Sequence, residues 1–245
     1  MTFKKAYITT NKGGRQLFIG DIHGCYKTFL NLLEKVQLQK KDQLIILGDV
    51  INKGPDAKGV IDHILNLQQD GFEVYVLRGN NESLLLKVLK KNEKRIERLT
   101  LRFGIANLLK KGKSALKGRY RKFFKSTLYY IEGDAFFAVH AGFDYSSFDP
   151  FNDTFQMLWM RNFKADASFQ DNKPVIHGHR VFTYKKIQNA IKKKALAIPL
   201  DNGCVLGNSD KSYGRLICYD LTNRKLYKQR NIEDFTMSEF IYANE

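Results

Sequence analysis

A chain of 245 residues with 43% hydrophobic and 27% charged side chains, 4 Pro and 18 Gly can bury a sizeable core in one large domain or two small ones, and is not a disordered or low-complexity protein. Its apolar runs, such as Leu44 to Leu47 and Phe136 to Val139, fall far short of the ~20 residues a membrane span needs, and the N-terminal stretch lacks the apolar region of a secretory signal. The net charge of +16 is concentrated in residues 87–125, where fifteen Lys or Arg face only Glu93 and Glu97; this is either a field for anionic partners or a solvated helical face.

The first strand is expected at Gln16 to Gly20, followed by a helix with Phe29, Leu32, Leu33 and Val36 on one face. A second strand at Gln43 to Gly48, a helix bearing Val60, Ile61, Ile64 and Leu65, and a third strand at Val74 to Leu77 complete a βαβαβ pattern, which implies a parallel sheet. A basic helical stretch starts near Ser83. Two strands, Thr127 to Ile131 and Ala135 to Val139, are predicted to form a hairpin across Glu132-Gly133-Asp134. Further strands are expected at Val175 to His177, Ala195 to Leu200, Arg215 to Leu221 and Lys225 to Gln229. With no repeat and no Pro/Ser-rich linker, the expectation is a single α/β domain over 1–245 carrying the basic helical segment 87–125 as an insertion. Cys25, Cys204 and Cys218 are odd in number and far apart, so no disulfide framework is expected and a reducing cytoplasm is.

Polar residues able to bind metals recur just after these strands: Asp21 and His23 after the first, Asp49 after the second, Asn80 after the third, then His140, and His177-Gly178-His179. Residues at i and i+2 in extended chain point to the same side, so Asp21 and His23 can grip one cation. In open α/β sheets the ligand crevice lies at the carboxyl ends of strands, which places these segments on one rim. Four of the five histidines fall in them. A mixed set of carboxylate, imidazole and amide suits Mn, Fe or Zn better than Mg or Ca, and six such groups are enough for two ions.

As an ordered set, Gly20-Asp21-Ile22-His23-Gly24, Gly48-Asp49 through Gly54, Arg78-Gly79-Asn80-Asn81-Glu82, His140-Ala141-Gly142 and Gly178-His179 resemble the calcineurin-like metallophosphoesterases. Within these, the sequence is similar to PPP-type serine/threonine phosphatases and to bacterial symmetrical diadenosine tetraphosphatases. The resemblance runs from about residue 15 to 220 and implies a layered fold of mixed β-sheets flanked by helices, with the basic segment as a cap. It implies one metal on Asp21, His23 and Asp49 and another on Asp49, Asn80, His140 and His179, with Asp49 bridging and manganese favoured. It further implies that Lys53, Arg78 and Arg161 contact substrate phosphate, that His177 is a strand residue, and that Cys204 belongs to the core.

Three positions depart from the family pattern. Asn81 stands where a histidine serves as general acid for the leaving group, Asn52 where an aspartate orients that histidine, and Lys53 where an arginine contacts phosphate. An Asn52 to Asn81 amide contact is predicted to replace the Asp to His pair without burying a charge. The expected activities are accordingly a phosphatase slow on phosphoproteins, a hydrolase of phosphoanhydrides such as dinucleoside polyphosphates or of aryl phosphates, or a metal-binding pseudoenzyme. From another class, Tyr120, Phe123 and Phe124 interleaved with Arg119, Arg121, Lys122 and Lys125 are compatible with a nucleic-acid-binding face or with aromatics turned to the core.

Overall fold

The computed structural model describes residues 4–91, 104–109, 116–207 and 210–234. The strands are β1 (Lys5–Ile8), β2 (Gln16–Ile19), β3 (Gln43–Ile46), β4 (Glu73–Val76), β5 (Tyr130–Gly133), β6 (Phe137–Val139), β7 (Val175–His177), β8 (Ala197–Pro199), β9 (Arg215–Asp220) and β10 (Lys225–Arg230). The helices are α1 (Tyr26–Val36), α2 (Ala57–Gln69), α3 (Asn80–Lys91), α4 (Gly118–Ser126), α5 (Gln156–Trp159) and α6 (Tyr184–Lys192).

Two five-stranded mixed sheets result, ordered β10-β9-β2-β3-β4 and β1-β5-β6-β7-β8. The parallel β2, β3 and β4 follow from the βαβαβ pattern, and β9 closes that sheet antiparallel to β2. Side-chain alternation explains the packing. Phe18, Ile45, Ile217 and Tyr219 meet Ile131, Ala138, Ile176 and Ile198 of the other sheet in one core. Their neighbours Leu17, Ile19, Leu44, Ile46 and Cys218 turn the other way, against α1, α2, α3 and α4. Both faces of β2 and β3 are therefore buried, which is why they read as unbroken apolar runs rather than as alternating ones. A third core, with Tyr130, Phe137, Val139 and Val175 against Phe143, Met157 and Leu158, covers the outer face of the second sheet.

The predicted hairpin is present as antiparallel β5 and β6, but its connection runs two residues later, over 134–136 rather than 132–134, with the Gly133 N–H donating to the Phe136 carbonyl at 2.8 Å. The first of its strands starts at Tyr130; Leu128 instead forms an isolated bridge to Leu77, the residue just after β4. Three elements were not anticipated: β1, which pairs parallel with β5, and the helices α5 and α6.

On α4, Tyr120, Phe123 and Phe124 are buried against the helical layer while Arg119, Arg121, Lys122 and Lys125 are exposed. The rings are turned to the core and are unavailable for stacking on bases. Arg119 pairs with Asp62 of α2 at 2.9 Å, and the Tyr120 hydroxyl also donates to Asp62. Of the segment anticipated as a cap, residues 92–103 and 110–115 lie outside the described residues.

Candidate metal centre

The predicted ligands come together at the carboxyl ends of five strands drawn from both sheets. Asp21 and His23 follow β2, Asp49 follows β3, Asn80 opens α3 after β4, His140 follows β6 and His179 follows β7. Asp21, Asp49 and His140 each offer a ligand atom, all within 4.8 Å of one another. His23 Nε2 lies 3.9 Å from Asp21 Oδ2 and 3.8 Å from Asp49 Oδ2, and His140 Nε2 lies 3.7 Å from Asp49 Oδ1. Asn80 Oδ1 sits between His140 Nε2 at 3.0 Å and His179 Nδ1 at 3.1 Å.

Backbone carbonyls fix what these imidazoles present. His140 Nδ1 is 2.8 Å from the Leu47 carbonyl and His23 Nδ1 is 3.1 Å from that of Ile51, so each Nδ1 carries the hydrogen and each Nε2 turns a lone pair inward. There it meets carboxylate and amide oxygens, which are also acceptors. Acceptors gathered in a buried place with few donors among them are stabilised by a cation, and one is already present: Lys53 Nζ donates to His23 Nε2 at 3.2 Å.

The charges tell the same story. Burial, then Asp201 and Asp49, push the Asp21 carboxyl well above its ordinary value. Burial together with the charge of Asp49 drives Glu82 up to about 8. Burial, partly offset by the Gly203 N–H, takes Asp201 to about 6. His23 and His179 are pushed down to about 4 by burial, aided at His23 by Lys53 and at His179 by His140. Crowded carboxylates beside neutral imidazoles match the requirements of a divalent transition metal.

Backbone shape makes the room. His23, Asp49 and His179, with Asn52 and Lys53, all adopt positive φ, between 47° and 76°, a conformation that non-glycine residues hold only where surrounding contacts enforce it. A Cβ on Gly178 would run into Asp21 Oδ1, and one on Gly79 into Asp49 Oδ1. These glycines keep the cradle open.

Two further residues shape the site. Glu82 is fully buried and accepts from the backbone N–H groups of Gly79, Asp49 and Val50 at 2.8, 2.9 and 3.0 Å, pinning the loop that carries Asp49. Asp201 follows β8 as Asp21 follows β2, accepts from the Gly203 N–H at 2.7 Å and faces Asp21 electrostatically. The sequence carries its signal, since Leu200-Asp201 ends an apolar run two residues before Gly203.

The predicted Asn52 to Asn81 contact is present: Asn52 Nδ2 donates to Asn81 Oδ1 at 2.7 Å, while Asn81 Nδ2 donates to Asp49 Oδ2 at 2.6 Å. Arg161 is exposed, and its charge acts on His179. His177 sits buried on β7, edge-on to Phe163, and belongs to the packing. Arg78 departs from its expected role. It is buried, and its guanidinium donates to Thr127 Oγ1 at 2.9 Å, the Tyr129 hydroxyl at 3.2 Å and the Phe124 and Thr127 carbonyls. A buried guanidinium needs such partners, and here they hold the end of α4.

Residues 14–199 match the family model for calcineurin-like phosphoesterases, three quarters of the chain. The chain belongs to that family. Among curated relatives, a symmetrical bis(5'-nucleosyl)-tetraphosphatase of Buchnera aphidicola subsp. Acyrthosiphon pisum (strain Tuc7) is 41% identical over 81 residues, 31% of this chain and 28% of that protein. A zinc-dependent endopolyphosphatase of Saccharomyces cerevisiae is 37% identical over 87 residues, 35% of this chain and 26% of that one. The matched part thus spans little more than a quarter of these relatives' length. In fold, the family member is similar to a solved structure proposed to be a diadenosine tetraphosphatase, with TM-score 0.65 and 24% identity over 93% of this chain and 97% of that one. It is also similar to a Saccharomyces cerevisiae serine/threonine phosphatase resembling human PP5, with TM-score 0.61 and 15% identity over 96% and 87%.

Proposed function

We propose that this family member is a metal-dependent phosphohydrolase acting on phosphoanhydrides and aryl phosphates, whose leaving groups depart as anions. Asp21, His23 and Asp49 would hold one divalent ion, and Asp49, Asn80, His140 and His179 a second, with manganese the first candidate and iron or zinc the alternatives. Bound there, such a pair supplies an activated water and a clamp on a phosphoryl oxygen. Lys53, at the His23 side of the cluster, and Arg161, at the His179 side, bring positive charge to the phosphate; Arg161 retains the planar fork that Lys53 lacks.

The observation that carries this reading is the amide chain Asn52–Asn81–Asp49. An amide has no proton to give a departing oxygen. A missing general acid costs about 10²- to 10⁴-fold, roughly 3 to 5 kcal/mol, for a poor leaving group such as a seryl alkoxide, and far less for one that leaves as a stable anion. A nucleotide is such a group, and the names of the tetraphosphatase relatives point to dinucleoside polyphosphates; phosphoproteins are expected to be slow substrates. The three free, buried cysteines support a reducing cytoplasm as the site of action.

Rates across aryl and alkyl phosphates test the proposal. The wild type should slow steeply as leaving-group pKa rises. Asn81→His with Asn52→Asp should flatten that slope by speeding alkyl phosphates most, and Asn81→His alone should do less, because the imidazolium lacks its carboxylate. Equal wild-type rates on alkyl and aryl phosphates would place the acid elsewhere, and no turnover of any phosphate compound by metal-loaded protein would make this a pseudoenzyme.

A further inference from the structure

A cavity of about 480 Å³ adjoins the proposed metal centre, and its wall carries Arg161, Lys164, Arg180 and Lys186 but no carboxylate. Two other features tie it to the cluster. Ala141 and Arg180 line it and are chain neighbours of His140 and His179, one Cα step of about 3.8 Å away. Arg161 lines it as well, its carbonyl bonded by the side chain of Arg180, the residue after His179.

The four cations are exposed, and among the described residues none is paired with a carboxylate. They are nonetheless positioned. Arg180 Nη1 donates to the Arg161 carbonyl at 2.8 Å and to Asn162 Oδ1 at 2.7 Å. The Arg180 guanidinium lies 5.4 Å and Lys186 Nζ 4.3 Å from the centroid of the Phe182 ring, so a single aromatic holds both charges. On α4, by contrast, Arg119 has its counter-ion in Asp62. Like charges gathered around a hollow without counter-ions repel one another, and an anion within the hollow relieves that repulsion.

We propose that this cavity is a subsite for the phosphate chain that continues beyond the phosphoryl group at the metal centre, with Lys164, Arg180 and Lys186 neutralising it, so that polyphosphates are selected over phosphomonoesters. The subsite rests on the phosphohydrolase reading of the neighbouring centre. A monoester leaves these cations unused, whereas tripolyphosphate or a nucleoside polyphosphate engages Arg161 and the further cations at once. What is recognised is the phosphate chain, whether inorganic or attached to a nucleoside.

Equilibrium binding of inorganic tripolyphosphate and orthophosphate to the full chain, kept in chelator so that no divalent ion contributes, tests the subsite. The Lys164→Ala/Lys186→Ala protein is expected to lose about tenfold in tripolyphosphate affinity, to lose less for orthophosphate, and to show a shallower salt dependence. An Arg121→Ala/Lys122→Ala protein removes the same charge from the exposed face of α4 and is expected to stay within about twofold of wild type. Equal losses in the two variants would assign the effect to net charge and overturn the subsite, as would no loss in the first. Adenosine triphosphate separates the sources: affinity within about threefold of tripolyphosphate supports recognition of the chain, and an advantage of about tenfold that survives the lysine substitutions would contradict it. In metal-loaded protein, the ratio of kcat/KM for adenosine triphosphate to that for an aryl phosphate should also fall in the lysine variant. If no phosphate compound is hydrolysed at all, the phosphohydrolase reading fails, and binding in chelator still decides the subsite.

Discussion

Asn81 shows how two substitutions can be read together. Its carbonyl oxygen takes the Asn52 amide and its own amide reaches Asp49, so a pair that would have carried an imidazolium and its carboxylate becomes a neutral chain ending on a proposed metal ligand. That pairing was legible because both positions changed in a chemically matched way. The ligands were legible for another reason: each follows a short apolar run and has a glycine close by, which at Gly178 and Gly79 is required by the oxygens of Asp21 and Asp49. Gly178→Ala should therefore strip metal from the protein and abolish hydrolysis, whereas Gly118→Ala on α4, with nothing within 4 Å of the added carbon, should leave both intact and shift stability by at most about 1 kcal/mol; metal content and thermal melting of the two variants check this. Arg78 was illegible, because a motif gives order and not direction, and only the fold shows that its guanidinium is taken up at the end of α4. Glu82 was hidden for the same reason: besides the nearby Gly79 N–H, its partners are the backbone N–H groups of Asp49 and Val50, more than thirty residues away in the chain.

Among the elements, the strand and helix order of the first ninety residues could be read from periodicity because β2, β3, α1 and α2 bury nearly continuous apolar faces. By contrast, β1 has the burial of an edge strand, with Lys5 and Tyr7 exposed, and α6 buries only Ile187; neither offers a pattern that separates it from a loop. What fastens the elements is partly polar. Arg15, just before β2, donates to Asp42 at 2.5 Å and to the Val36 and Gln37 carbonyls, joining the starts of two strands to the end of α1. Burial alone would raise the Asp42 carboxyl, but hydrogen bonds from the Arg15 guanidinium and from the backbone N–H groups of Gln39 and Arg15 outweigh it and hold the group below the usual carboxylate range. A depressed folded value contributes stability that is present above the unfolded pKa and lost as pH falls through the folded one. Asp42→Asn should cost about 1 to 3 kcal/mol near neutral pH, and its deficit against wild type should close as pH falls below about 4, as read by denaturant unfolding across pH.

Over the whole molecule, two sheets share one core and bring the ends of β2, β3, β4, β6, β7 and β8 to a common rim, so ligands that are far apart in sequence converge because each stands just beyond a strand end. The sequence pattern located each strand end but could not assign the strands to two sheets, because sheet membership depends on which faces meet and not on any local period. Charge divides along the same architecture. The exposed cations of α4 stand over buried aromatics, so any nucleic-acid binding there is electrostatic and should disappear steeply with salt; Arg161, Lys164, Arg180 and Lys186 line a hollow instead. Everything proposed for the activity depends on metal at the rim. Elemental analysis of Mn-loaded, desalted protein is the most direct measurement: close to two ions per chain are expected in the wild type, and Asp49→Ala should lower occupancy of both sites because one carboxylate serves both. Wild-type protein that retains no transition metal after loading would contradict the account.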